Sequence, residues 1–190
     1  MYIQVEELRN YLGITSETDD ALLIDAINDA QDAIERQTGR VFQVSTSTTK
    51  YFTPGVDTCG NTLHLDEDLA SISSITNGDG TTVSASAYVL RPRNLPPYRE
   101  IVLKSSYGLL WTYQIDPGDA IAVNGKWGWS VEPDGAIHRA TLRLSAFFYK
   151  QKDAQTFEYT SSSELGTVRV RAAIPKDIIE VLEPYKKLIA

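Results

Sequence analysis

The 190-residue sequence holds one cysteine, Cys59, so no intramolecular disulfide and no multi-cysteine metal site can form. Its two histidines, His64 and His138, are too few for a multi-histidine zinc site. Basic residues are the minority charge, 18 against 25 acidic, which gives a formal charge of −7. Such a chain is a poor candidate for wrapping nucleic acid, because phosphate neutralisation drives that kind of binding. No run approaches about 18 consecutive apolar residues, so no membrane-spanning helix is expected. The opening Met1-Tyr2-Ile3-Gln4-Val5-Glu6-Glu7 lacks the basic flank and apolar stretch of a signal peptide. Together these absences predict a soluble protein made and used inside a cell, or built into something assembled there. Catalytic signatures are missing too. No helix carrying Lys-Ser or Lys-Thr follows Gly78-Asp79-Gly80, which therefore reads as a turn and not a phosphate cradle, and there is no Gly-x-Ser-x-Gly elbow.

The charge that is present is unevenly placed. Residues 1–90 carry 4 basic and 14 acidic side chains, net −10. Residues 91–134 are balanced, and residues 135–190 carry 9 basic and 6 acidic, net +3. This asymmetry predicts two surfaces that face different neighbours.

Hydrophobic periodicity places helices at both ends of the chain. Val5, Leu8 and Leu12 recur at helical spacing and Gly13 stops the first helix. Thr15-Ser16-Glu17-Thr18 supplies N-cap chemistry for a second, with Asp19 and Asp20 in its first turn. In it Leu22, Leu23, Ala26, Ile27, Ala30, Ala33 and Ile34 form one apolar stripe, and Gly39 ends it. Asp25, Asp29 and Asp32 fall on the opposite face. The plainer reading of that face is a solvated one; the sharper reading is a wall that repels a passing polyanion. Helix returns after Pro133 with Ile137, Ala140, Leu144, Phe147 and Phe148, while Arg139, Arg143, Lys150 and Lys152 face elsewhere. Residues 157–171 look extended, with Thr160-Ser161-Ser162-Ser163 as a flexible link. Pro175 opens a last amphipathic segment through Ile178, Leu182, Tyr185 and Ile189, which Pro184 should interrupt.

Between the helices the period changes. Residues 46–129 are rich in Thr, Val, Tyr and turn formers, and short strands are expected at 48–52, 62–65, 72–76, 82–89, 101–103 and 120–127. Asn77-Gly78-Asp79-Gly80 is a hairpin signal. The expected fold class is therefore α+β: a helical core made of two N-terminal helices, one helix after an insert and a C-terminal helix, with a small antiparallel β-sandwich or barrel inserted. The expected divisions are 1–45 for the N-terminal helical part, 46–132 for the insert, 133–155 for the core helix, and 156–190 for an extended link and C-terminal docking helix.

Three groups of residues invite functional readings. His64 with Asp66, Glu67 and Asp68, and nearby Asp79, could serve acid/base or cation chemistry, but the spacing fits no calcium loop and the plainer reading is a solvated segment. Trp111, Trp127 and Trp129 are either core or an interaction platform, for a sugar or a protein neighbour. The segment Pro175, Ile178, Leu182 and Tyr185 is either packed on the core or a docking arm. No catalytic, cofactor-binding or metal-binding residue is expected.

The order of parts resembles the head–tail connector (adaptor, or head-completion) proteins of long-tailed bacteriophages and phage-like gene transfer particles. The likeness runs through Val5-Glu6-Glu7-Leu8-Arg9-Asn10-Tyr11-Leu12-Gly13, Asp19-Asp20-Ala21-Leu22-Leu23 and Ala33-Ile34-Glu35-Arg36-Gln37-Thr38-Gly39-Arg40-Val41-Phe42. It continues in Leu63-His64-Leu65, Ile72-Ser73-Ser74-Ile75, the 77–80 turn, Tyr88-Val89-Leu90, Pro97-Tyr98 and Gly125-Lys126-Trp127-Gly128-Trp129, which leads into the 137–150 helix. It closes on Ile174-Pro175-Lys176-Asp177-Ile178 and Leu182-Glu183-Pro184-Tyr185. The resemblance implies a non-enzymatic virion subunit, assembled in the host cytoplasm, that forms a homo-oligomeric ring of about twelve copies in the neck. Such a ring sits beneath the portal protein, extends the DNA channel without gripping DNA, and meets a stopper or tail-completion protein, with no membrane involved. On that expectation Pro175, Ile178, Leu182 and Tyr185 dock to the portal, and Asp25, Asp29 and Asp32 face the channel. The alternative from another class is a carbohydrate-binding or other interaction module using Trp111, Trp127 and Trp129. A hydrolase using the carboxylates near His64 ranks last.

Overall fold

A computed structural model describes residues 1–116, 120–151, 159–162, 166–169 and 174–187. The chain divides into two compact units, one made of residues 1–40 with 134–190 and the other of residues 41–133.

The first unit is helical. Helix α1 (Val5–Leu12) opens on a capping box between Gln4 and Glu7 and ends at Gly13, whose φ of 71° is the left-handed conformation that glycine reaches without Cβ strain. Helix α2 (Asp20–Thr38) ends the same way at Gly39, with φ 68°. Its N-cap is Asp19 and not the upstream Thr/Ser pair: Ser16 Oγ instead accepts from the Thr18 amide, and the Asp19 carboxylate accepts from the Tyr149 hydroxyl. Arg9 grips Asp20 with two hydrogen bonds, of 3.1 and 2.6 Å, which ties α1 to the start of α2. Helix α3 (Gly135–Gln151) begins where Asp134 Oδ1 accepts from the amides of Ala136 and Ile137, both at 3.0 Å. Ile3, Leu8, Leu23, Ile27 and Ala146 form one buried cluster of this unit. Helix α4 (Lys176–Leu182) gives way to a 3-10 turn at Glu183–Tyr185, where Pro184 cannot continue the α-helical ladder.

The second unit is one open, six-stranded antiparallel sheet. Its strands are β1 (Thr48–Phe52), β2 (Thr58–Cys59), β3 (Thr62–Thr76), β4 (Tyr88–Arg91), β5 (Tyr98–Leu103) and β6 (Ile121–Trp127). The order is β1-β6-β3-β5-β4, with β2 paired to β3. The α+β class is as expected, but the sheet does not close into a barrel, because β1 and β4 stand at opposite edges of a single path. The expected strands at 62–65 and 72–76 are one continuous β3. Its first part pairs with β5 and its second with β6. Register shifts along β3 mark bulges, and bulges bend a strand and raise its twist. On the β5 side residues 65–68 stand against Arg99 alone, so the charged Asp66-Glu67-Asp68 run that looks like a turn sits inside a strand.

Gly125 shows why this pairing needs glycine. A Cβ there would stand 2.4 Å from the Ser71 carbonyl oxygen and 2.8 Å from Leu69 Cδ1. The core alternates along β6, where Ile121, Val123 and Trp127 are buried. Phe52, Leu63, Leu69, Ile75, Ile101 and Leu103 join them.

Two local expectations are corrected, the first in the sheet unit and the second in the other unit. The strand expected at 82–89 is present only at its end: after the Thr76–Thr82 bridge the chain makes a 3-10 turn at Ala85–Ala87, capped by Ser84, and enters β4 at Tyr88. Thr160, Ser161 and Ser162 belong to β7 (Tyr159–Ser162), which pairs antiparallel with β8 (Gly166–Arg169), and not to a flexible link. The expected positions of Lys152, Ser163 and Ile189 lie outside the described residues.

Candidate interaction surfaces

The three groups singled out by sequence take different places. The carboxylates around His64 do not converge. His64 Nδ1 lies 3.6 Å from Glu100, which also approaches Arg91 at 3.7 Å. Glu67 pairs with Lys50, and the buried Asp68 lies 3.5 Å from Arg99. Asp79 accepts from the Thr81 amide at 2.8 Å and so shapes its own turn. Among the described residues no group of three or more His, Cys, Asp or Glu side chains is placed to hold a metal ion. Cys59 is exposed.

The tryptophans are mostly interior. Trp111 is 8% exposed and donates its indole N–H to the Asn61 carbonyl at 2.9 Å. Trp127 is 6% exposed and donates to the Thr48 carbonyl at 3.0 Å. Trp129 is half-buried, its ring 6.0 Å from that of Phe42. A sugar platform needs exposed, roughly coplanar rings, and Trp111 and Trp127 instead have their apolar bodies in the core and their polar handles on backbone. Gly128 is also tightly enclosed, since a Cβ would meet Val44 Cγ2 at 2.3 Å, and the strand ends at Trp127 instead of carrying Trp129 onto the same face.

In the C-terminal segment Ile178 and Leu182 point into the helical unit, at 2% and 0% exposure. Presenting them to a partner would require α4 to leave its own core. Tyr185 is anchored by polar contacts: its hydroxyl donates to Asp134 Oδ2 at 2.6 Å and its carbonyl accepts from Arg40 Nε at 2.6 Å. Burial, then the hydrogen bond and the charge of Asp134, pushes the Tyr185 phenol up to about 12. Asp134 thus serves both the start of α3 and the end of the chain's last turn. The Lys187 amide adds a bond to the Thr38 carbonyl at 2.8 Å.

The acidic face of α2 is where the sequence puts it. Asp25, Asp29 and Asp32 are exposed and make no hydrogen bond or ion pair among the described residues. Leu22, expected in the buried stripe, is 47% exposed; at 100° per residue it lies beside Asp25 and Asp29, away from Leu23 and Ile27. Sequence reading passed over one further feature. Beside the exposed Arg139 and Arg143, helices α3 and α4 leave a groove of about 230 Å³ floored by Ala136, Ala140, Ile178 and Val181. The spacing of Arg139, Arg143 and Lys150 on one side of α3 was visible; the partnering helix that turns it into a groove was not.

The profile of the family described as "Head completion protein" matches residues 2–188. The chain belongs to the head completion protein family. Two solved structures share its fold. One is described as "Neck of empty GTA particle computed with C6 symmetry", with TM-score 0.64, 17% identity, and coverage of 100% of this chain and 91% of that chain. The other is described as "Virion of native gene transfer agent (GTA) particle", with TM-score 0.59 and the same identity and coverage. A search of curated proteins returns no match.

Proposed function

We propose that this head completion protein is a non-enzymatic, ring-forming adaptor that docks under the portal, extends the DNA channel and meets a stopper or tail-completion protein. The observation that carries the reading is the family match across residues 2–188. The neighbour from a neck treated with sixfold symmetry supports a ring whose copy number is a multiple of six, with about twelve copies as our assignment. A formal charge of −7 supports a channel wall that DNA passes without tight binding. The dispersal of the His64 carboxylates over separate ion pairs supports a structural role over an acid/base one. Truncation at Pro175 is a poor test of portal docking, because it also strips Ile178 and Leu182 from the core. The cleaner test is genetic. Particles produced without this chain should accumulate as heads and tails that are not joined, and adding the purified protein should restore joined particles with a ring visible at the neck by electron microscopy. Normal tailed particles made in its absence would overturn the reading.

A further inference from the structure

We infer that the acidic outer face of α2 is one half of the contact between neighbouring copies, and that the cationic groove of α3 and α4 in the next copy is the other half; this rests on the ring reading above. The groove has an apolar floor of Ala136, Ala140, Ile178 and Val181 with Arg139 and Arg143 beside it. A second hollow of about 260 Å³ continues past Arg143 to Lys150. Arg143 is held by Asp177, whereas Arg139 and Lys150 make no hydrogen bond or ion pair among the described residues. The occupant must therefore bring acidic side chains around an apolar one. The face of α2 that carries exposed Leu22 with Asp25, Asp29 and Asp32 has that composition.

The dimensions agree. At a rise of 1.5 Å per residue, Arg139 to Lys150 spans about 16 Å along α3, and Asp25 to Asp32 about 10 Å along α2. The acidic row fits within the length of the basic one. A chain cannot satisfy this pair internally, because its own α2 turns Leu23 and Ile27 toward α3 and Asp25, Asp29 and Asp32 to solvent. The two surfaces are also different from each other, so the contact is head-to-tail. Such contacts propagate around a ring, whereas a self-complementary patch would stop at a dimer. A single exposed ion pair contributes little, but several facing each other over a shared apolar contact favour one register and penalise others.

Charge reversal in the full chain tests this, with assembly read by mass photometry in solution and by subunit addition to portal-bearing capsids lacking the protein. Far-UV circular dichroism verifies that each variant is folded. The variant Asp25→Lys, Asp29→Lys, Asp32→Lys should assemble about tenfold less than the natural chain, as should Arg139→Glu, Lys150→Glu. An equimolar mixture of the two should regain assembly, because alternating copies restore opposite charges at every contact. Higher salt should weaken natural assembly, since the Debye length shortens from about 8 Å at 0.15 M to about 3 Å at 1 M. Folded variants that each assemble like the natural chain would overturn this contact and leave the ring reading standing. So would an aspartate variant that builds rings but retains DNA, which would return Asp25, Asp29 and Asp32 to the channel, or an Arg139→Glu, Lys150→Glu variant that loses only DNA affinity. A natural chain that forms rings neither in solution nor on capsids would overturn the ring reading itself.

Discussion

The helical unit and the sheet unit treat their large apolar side chains differently. The sheet unit takes Trp111 and Trp127 inside and ties their indole N–H groups to backbone carbonyls. The helical unit buries small and aliphatic residues, among them Ala30, Ala33, Ile34 and Leu144, and leaves Leu22 outside between aspartates. It also holds its ends with polar ties. Asp134 caps α3 and receives Tyr185, while Arg40 reaches the Tyr185 carbonyl. The outside of α2 and α3 combines exposed charge with apolar surface, whereas Trp111 and Trp127 serve the sheet unit's own core. All three tryptophans lie in the sheet unit, so their fluorescence reports that unit, while ellipticity at 222 nm reports chiefly the helices. The two signals allow the contrast to be tested one unit at a time.

The largest effect is expected from Leu144→Ala, which empties a fully buried position of α3. Leu-to-Ala changes at such sites cost 2–5 kcal/mol, and about 3 kcal/mol is expected here. The 222 nm transition in urea should move to lower denaturant by that amount, with a smaller shift in tryptophan fluorescence. Gly125→Ala acts on the other side of the comparison. The new methyl would need the β3 backbone at Ser71 to move, and overpacking of that kind costs about 2 kcal/mol. Here the fluorescence transition should lead. Identical shifts of both signals in both variants would mean that the two units unfold as one cooperative body, which would remove the contrast.

The same contrast governs what the sequence makes legible. Helix α2 is readable because its determinants are local: an apolar stripe at 3.6-residue spacing and a glycine that can adopt φ 68° at its end. Strand β3 is not, because its continuity through Asp66-Glu67-Asp68 depends on partners far along the chain. Arg99 faces Asp68 and Lys50 faces Glu67, which lets a turn-like sequence sit in a bulged strand. The acidic row of α2 follows from the helix period alone. The groove next to Arg139 does not, since it requires knowing that Ile178 and Val181 pack alongside Ala136 and Ala140. Tertiary pairing is the missing information in both cases.

The smallest effect separates the polar ties of the helical unit from burial alone. Tyr185→Phe keeps the ring and removes the 2.6 Å hydrogen bond to Asp134, at a cost of about 1 kcal/mol near neutral pH. The phenol is raised from 10.0 to about 12 in the folded chain, so the folded state keeps its proton after the unfolded state has released it. Stability from this group is therefore complete below pH 10 and is lost as pH climbs from 10 to about 12. The natural chain should exceed Tyr185→Phe in its 222 nm midpoint at pH 8, and the gap should close across that window. Tyr88, raised by burial in the sheet unit, loses stability in the same direction but is untouched by the substitution. The fluorescence midpoint should then fall equally in both proteins above pH 10. A gap at 222 nm that persists unchanged to pH 12 would show that the Tyr185 hydroxyl is not the titrating group that joins the chain's last turn to the start of α3.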